Sequence, residues 1–258
     1  MRGSSSSSLP RVLASLTGVA TVGYTAFVEQ DNWRRKNERV TDEGLTQNFG
    51  VGSADDILSD YLRPGDVVLF SRRWYQHHIP MAVCVKTYQL LHPGVDFDHC
   101  GVVIGNDKAG VPLLWEMNPH ERPTVEPFPQ RILQSKAQHI VLKPISPRMD
   151  FTSAELAQAL AHANSTAVDQ SEFTAMLWSF AVTLVRKLWP AAGTGDDECP
   201  SSKLVLQCWD KLGIHRESGG HTSSAVSCGE FAAGAEGLHL HRHAGKVSLG
   251  GDILIRTR

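Results

Sequence analysis

Two short stretches of this sequence bring together residues that could do chemistry. In the first, Asp98, His99 and Cys100 lead into Gly101, Val102 and Val103, and Glu116 follows one short hairpin later. A histidine that opens an apolar strand and an acid on the neighbouring strand can sit side by side. The carboxylate then fixes the imidazole tautomer and holds its proton while the other nitrogen acts as a base. The same residues also suit a structural histidine, satisfied by one hydrogen bond, beside a solvated glutamate. The second stretch is Glu198, Cys199, Pro200, Ser201, Ser202, Lys203, Leu204 and Val205, small residues that open a helix. A thiol at such a start has its thiolate stabilised by unbonded backbone N–H groups and the helix dipole, which is how cysteine nucleophiles are activated. A serine there serves equally as an N-cap.

The remaining histidines and cysteines carry weaker signals. His239, His241 and His243 alternate, so on a strand all three share a face. No Cys or carboxylate flanks them at ligand spacing, so a solvated edge is expected rather than a metal site. His77 and His78 fall in a turn-like segment that would line a pocket mouth or lie on the surface. Cys228, in SCGEF, resembles a nucleophile, but the histidines after it follow too closely to come from a separate strand.

The elements that must position these groups can be read from local patterning. Residues 62–70 (LRPGDVVLF) place a Pro-Gly turn before a β-branched run, which predicts a turn feeding a strand. Residues 99–105, 112–117 and 139–145 are further short apolar runs bounded by Gly, Asn or Pro, and are expected as strands. Thr152 with Glu155 has capping-box spacing ahead of Leu156 and Leu160, and Asp169 with Glu172 repeats it ahead of Phe173, Met176, Leu177 and Phe180. Residues 173–185 are uncharged but too short to span a bilayer, so they suit core burial or an interaction face. A further helix is expected over residues 202–212, with Leu204, Val205, Cys208, Trp209 and Leu212 on one stripe. Residues 218–237, rich in Gly, Ala and Ser, read as irregular, and residues 246–256 as one or two closing strands. Strands first, helices in the middle and a strand at the end predict an α+β domain.

Composition bounds the function. The chain of 258 residues is 41% hydrophobic and 20% charged, which excludes a disordered tail, a collagen and a polytopic membrane protein. Its 25 Lys+Arg against 27 Asp+Glu give no reason to expect nucleic acid as the main partner. A body of this length is stable without disulfides or a structural metal. The odd set of cysteines, Cys84, Cys100, Cys199, Cys208 and Cys228, fits a reduced or weakly oxidising compartment.

The N-terminus differs in kind. Residues 12–28 carry no charge, and as a helix they would extend about 26 Å, just short of a bilayer core. Arg2, Arg11 and a run of serines precede the first acid, Glu29. A cleaved mitochondrial presequence, an uncleaved signal anchor and a buried helix all fit this pattern. Arg34, Arg35, Lys36 and Arg39 would hold the following residues in water or against anionic headgroups.

Taken in order, Pro64-Gly65-Asp66 before a strand, the histidine of DHCGVVIG, the glutamate of LLWEMNP and the helix SSKLVLQCWDKLG resemble the circularly permuted NlpC-type papain-like family, which contains bacterial YiiX and the lecithin retinol acyltransferase relatives. The similarity covers residues 62–256. It implies an antiparallel sheet packed with helices, and a Cys-His pair with a third polar residue that cleaves or transfers acyl groups. By position, His99 would be the general base and Glu116 its orienting partner. The nucleophile departs from the pattern. Ser202, Lys203, Leu204 and Val205 match the residues that follow the family's cysteine, which puts Ser201 in its place, with Cys199 two residues early and Pro200 limiting the backbone between. A serine hydroxyl is a far weaker nucleophile than a thiolate. Asp196, Asp197 and Glu198 would also raise a nearby thiol pKa.

The expectation is therefore a papain-like domain over residues 60–258, joined through a polar linker (30–59) to an N-terminal apolar anchor or presequence (1–29). Having lost its thiol nucleophile, it would serve as an accessory subunit of a membrane assembly, mitochondrial and held at the inner membrane through residues 12–28. Its partners would be other protein subunits and membrane lipid, with no cofactor, no metal and no nucleic acid. The competing expectation is an active acyl hydrolase or transferase in which Cys199 or Ser201 attacks with His99 and Glu116.

Overall fold

The Pro64-Gly65 turn delivers the chain into its first strand, Val67–Ser71 (β1), as the run after it predicts. The computed structural model describes residues 23, 26, 27, 30, 54–72, 82, 97–117, 123–135, 137–166, 200–216, 228–232, 238–243 and 245–257. The chain divides into two units, Met1–Gln47 and Asn48–Arg258. In the first, Gly23, Ala26, Phe27 and Gln30 are helical and exposed. Among the described residues no helix is long and apolar enough to cross a membrane. Most of the apolar segment 12–28 lies outside them, as do His77, His78, the helix expected after Asp169 and Cys199.

The second unit is α+β. A short helix, Ala54–Tyr61 (α1), precedes β1, and its Leu58 packs on the apolar core, so the stretch expected as a polar linker ends in an element of the body. The strands His99–Asn106 (β2), Pro112–Glu116 (β3), Thr124–Pro127 (β4) and His139–Lys143 (β5) join β1 and the last strand, Ile253–Thr257 (β10), in one antiparallel sheet of order β10-β5-β1-β2-β3-β4. A second antiparallel sheet of order β6-β9-β8-β7 contains Ile145–Ser146 (β6), Gly245–Leu249 (β9), Leu240–Arg242 (β8) and His215–Arg216 (β7). The helices are Phe128–Gln134 (α2), Ser153–Ser165 (α3), Pro200–Lys211 (α4) and Cys228–Ala232 (α5). Thr152 and Glu155 close the capping box at the start of α3.

Side chains alternate across the six-stranded sheet and supply a core on each face. Val67, Leu69, Cys100, Val102, Trp115 and Val141 point to the face covered by α3 and α4, where Leu204, Val205, Cys208, Trp209 and Phe231 meet them. Val68, Phe70, Val103, Leu114, Ile140 and Leu142 point to the other face, covered by Phe128 and Ile132 of α2. The register Val67↔Val102 and Phe70↔His99 carries this alternation from β1 to β2.

Asp66 ties the turn to the rest of the unit. Its wholly buried carboxylate accepts hydrogen bonds from the backbone N–H of Ile145 (2.9 Å) and Arg63 (3.0 Å) and from Arg148 Nη1 (2.6 Å). Burial drives its pKa above the ordinary value despite these donors. Gly65 has φ of +89°, and a Cβ there would stand 2.6 Å from Ile145 Cδ1. Glycine satisfies both demands.

Further features depart from the sequence reading. Residues 218–237, expected as irregular, contain α5, whose Cys228 and Phe231 are buried. β4 and α2 were not expected, because four- and seven-residue elements carry too few residues to show a period. The turn expected at Pro64-Gly65 and the strand expected after it are both present, with residues 62–66 forming the turn that Asp66 anchors and the strand starting at Val67.

Candidate functional site

His99 is held where the sheet begins. Asp98, one residue earlier, accepts hydrogen bonds from the backbone N–H and the Nε of Arg72, each at 2.7 Å, while its own N–H donates to the Phe70 carbonyl. These bonds fix the end of β1 against the start of β2. Strand alternation then sends Cys100 toward α4 and His99 to the α2 face, beside Phe70 at 5.5 Å between ring centroids. Glu116 reaches the same face from β3, where its Cα partner is Gly101. Gly101 makes room for it. A Cβ at 101 would lie 3.2 Å from Glu116 Cβ, Leu114 Cγ and the Trp115 carbonyl oxygen.

His99 Nε2 lies 2.9 Å from Glu116 Oε2. The other carboxylate oxygen, Oε1, accepts from Arg131 Nε of α2, and the Arg131 guanidinium lies 4.7 Å from the centre of the Phe70 ring. The result is an imidazole–carboxylate–guanidinium chain in which His99 is 3% and Glu116 0% exposed. Burial lowers the His99 pKa below its ordinary value, more strongly than Glu116 raises it, with Arg72 and Arg131 adding to the fall. At neutral pH the imidazole is therefore neutral and donates its Nε2 proton to Glu116. Burial pushes the Glu116 carboxyl upward, but the His99 hydrogen bond and the Arg131 guanidinium outweigh it and hold the group well below the usual carboxylate range. Its charge is balanced by Arg131. With Nε2 committed, any base chemistry of this ring would fall to Nδ1.

On the opposite face, the first turn of α4 meets Cys100. Ser201 Oγ lies 3.5 Å from Cys228 Sγ, Ser202 Oγ lies 3.8 Å from the same sulfur, and Cys100 Sγ is 4.0 Å from Ser202 Oγ. The two sulfurs, Cys100 Sγ and Cys228 Sγ, are 3.5 Å apart. Ser201 is 5% and Ser202 0% exposed.

The structure thus brings His99 and Glu116 together and places Ser201 elsewhere. His99 shares the face of Phe70, whereas the Ser201 hydroxyl lies beside Cys228, which contacts Cys100 of the opposite face, and among the described residues no hydrogen bond between Ser201 and His99 is found. Cys199 lies outside the described residues. Arg131 escaped the sequence reading because nothing local links it to Glu116. The contact of Cys228 with Cys100 and Ser201 was equally hidden, although each cysteine stands in a short motif of its own, DHCGVVIG and SCGEF. His241 of β8 is half-buried, with its ring 5.9 Å from that of His215, and His239 and His243 are exposed. Among the described residues no group of three or more His, Cys, Asp or Glu is placed to hold a metal. A comparison of the chain with protein-family models finds no match, and a comparison with curated proteins finds none either.

Proposed function

We propose that this chain is a pseudoenzyme of the permuted NlpC papain-like type and serves as an accessory subunit of a membrane assembly, with the mitochondrion as its compartment. The observation that carries the reading is the split of the former catalytic set across the sheet. His99 and Glu116 are sealed beneath α2 by Arg131, while Ser201, at the family's nucleophile position, faces Cys228 on the other side. The Nε2–Glu116 bond by itself would orient a base acting through Nδ1, so the reading rests on the nucleophile position, where the Ser201 hydroxyl is turned to Cys228 rather than to this ring. The antiparallel sheet with helices on both faces is compatible with the papain-like type. The uncharged segment 12–28 of the sequence is in keeping with attachment to a membrane, and the uncharged segment 173–185 with an interaction face.

The test combines chemistry and migration. Mitochondria expressing the tagged full chain are extracted in mild detergent, resolved by native electrophoresis, and treated with a thiol-reactive acyl probe. The expected result is migration in a large complex with no acyl label on the chain. A lone monomer after extraction sinks the subunit reading. A label lost in both Cys199→Ala and His99→Ala would establish the acyl hydrolase or transferase instead.

A further inference from the structure

We infer that Cys100 and Cys228 are a redox pair that closes to a disulfide when the protein meets a small peroxide, locking α5 to β2 beside the first turn of α4. The inference rests on the sulfur geometry alone and is independent of the proposed function. Two thiols from elements 128 residues apart in sequence have their sulfurs 3.5 Å apart, already in van der Waals contact. A disulfide needs about 2.05 Å, so closure requires the sulfurs to approach by about 1.5 Å, within reach of small side-chain and backbone shifts. The hydroxyls of Ser201 and Ser202 lie within reach of Cys228 Sγ, and both cysteines belong to the apolar core that contains Leu204 and Val205.

Exposure sets the order of events. Both cysteines are buried, Cys100 at 0% and Cys228 at 4% exposure, and the first oxidation is assigned to the less enclosed residue, Cys228. Its sulfur forms a bond to one peroxide oxygen as the O–O bond breaks and the remaining oxygen leaves as water, giving a sulfenic acid. Cys100 Sγ then attacks Cys228 Sγ. The S–S bond forms, the S–O bond breaks, and the departing hydroxide takes the Cys100 proton as a second water. Two electrons pass from the two thiols to one peroxide. The third described cysteine, Cys208, is wholly buried on α4, and burial pushes its thiol far above the ordinary range, which keeps it protonated and unreactive.

The experiment treats the reduced full chain with hydrogen peroxide beside a glutathione reporter. It is then quenched by alkylation under denaturing conditions and mapped by peptide mass spectrometry. The expected result is a linked peptide pair containing Cys100 and Cys228, reversed by dithiothreitol, with Cys208 still alkylated. In Cys100→Ser the expected product is a dimedone adduct at Cys228. The inference is overturned if both thiols remain alkylatable after the glutathione is consumed, or if Cys228 is found linked to Cys84 or Cys199 instead. Should the Cys100→Ser variant fail to fold, the map of the unaltered chain decides the question by itself.

Discussion

Glu116→Gln separates a structural role for the His99–Glu116–Arg131 chain from a catalytic one. The substitution keeps shape and hydrogen-bonding capacity but removes the carboxylate charge that faces Arg131. Arg131 is 14% exposed, so its guanidinium is left largely desolvated without a counter-ion. Removing one partner of a buried pair costs about 3–5 kcal/mol. The Phe70 ring at 4.7 Å still faces the cation and the small exposure admits some water, which places the loss near the lower end, about 3 kcal/mol. With a urea m-value of about 2 kcal/mol/M, the midpoint should fall by about 1.5 M. Equilibrium urea unfolding at pH 7, followed by tryptophan fluorescence, measures it. Replacing all three residues together, His99→Phe with Glu116→Leu and Arg131→Met, should recover most of the loss, because no uncompensated charge then remains. A Glu116→Gln change below about 0.5 kcal/mol, the size of a surface pair, would refute the structural reading.

Stability should fall as pH drops below about 6.5. The folded His99 pKa is depressed, so between that lowered value and the ordinary one the unfolded chain binds the extra proton, and the slope attributable to His99 is at most about 1.4 kcal/mol per pH unit. Urea midpoints at pH 5–8 for the parent and for His99→Gln isolate this contribution, which is wrong if the two curves stay parallel. Gly101→Ala should cost about 1–3 kcal/mol, since its new Cβ meets three atoms at 3.2 Å, one of them backbone, and thermal unfolding would show no such loss if β2 and β3 could separate freely. Oxidation of Cys100 and Cys228 closes a loop of 128 residues, for which the chain-entropy value is about 5 kcal/mol. Calorimetry of the oxidised protein should record a Tm about 10 °C or more above the reduced one, and an unchanged Tm would mean that the bond strains the fold by as much as it constrains the unfolded chain.

The parts of the site that were legible in the sequence are those that strand geometry makes local. The short β-branched runs, the Thr152–Glu155 capping box and the helix opening near Ser201 all announce themselves within a few residues. The nearness of His99 and Glu116 follows from one tight hairpin, because antiparallel pairing brings residues on either side of such a turn onto neighbouring positions. Arg131 was hidden because its position depends on how α2 folds back over β3. Cys228 was hidden because a contact across 128 residues leaves no local trace.

Alternation at a period of two is a steric property of the extended backbone, so the sequence alone determines that His99 and Cys100 face opposite sides of their strand. It does not determine which of them the Ser201 end of α4 will meet. Both faces of the sheet are apolar, and burial has no direction of its own, so local pattern leaves the two dockings equivalent. Only the sum of long-range contacts, with Trp209 and Phe231 filling one side and Phe128 and Ile132 the other, breaks that equivalence. It places α4 against the sulfur of Cys100 and leaves the imidazole of His99 to Glu116 and Arg131.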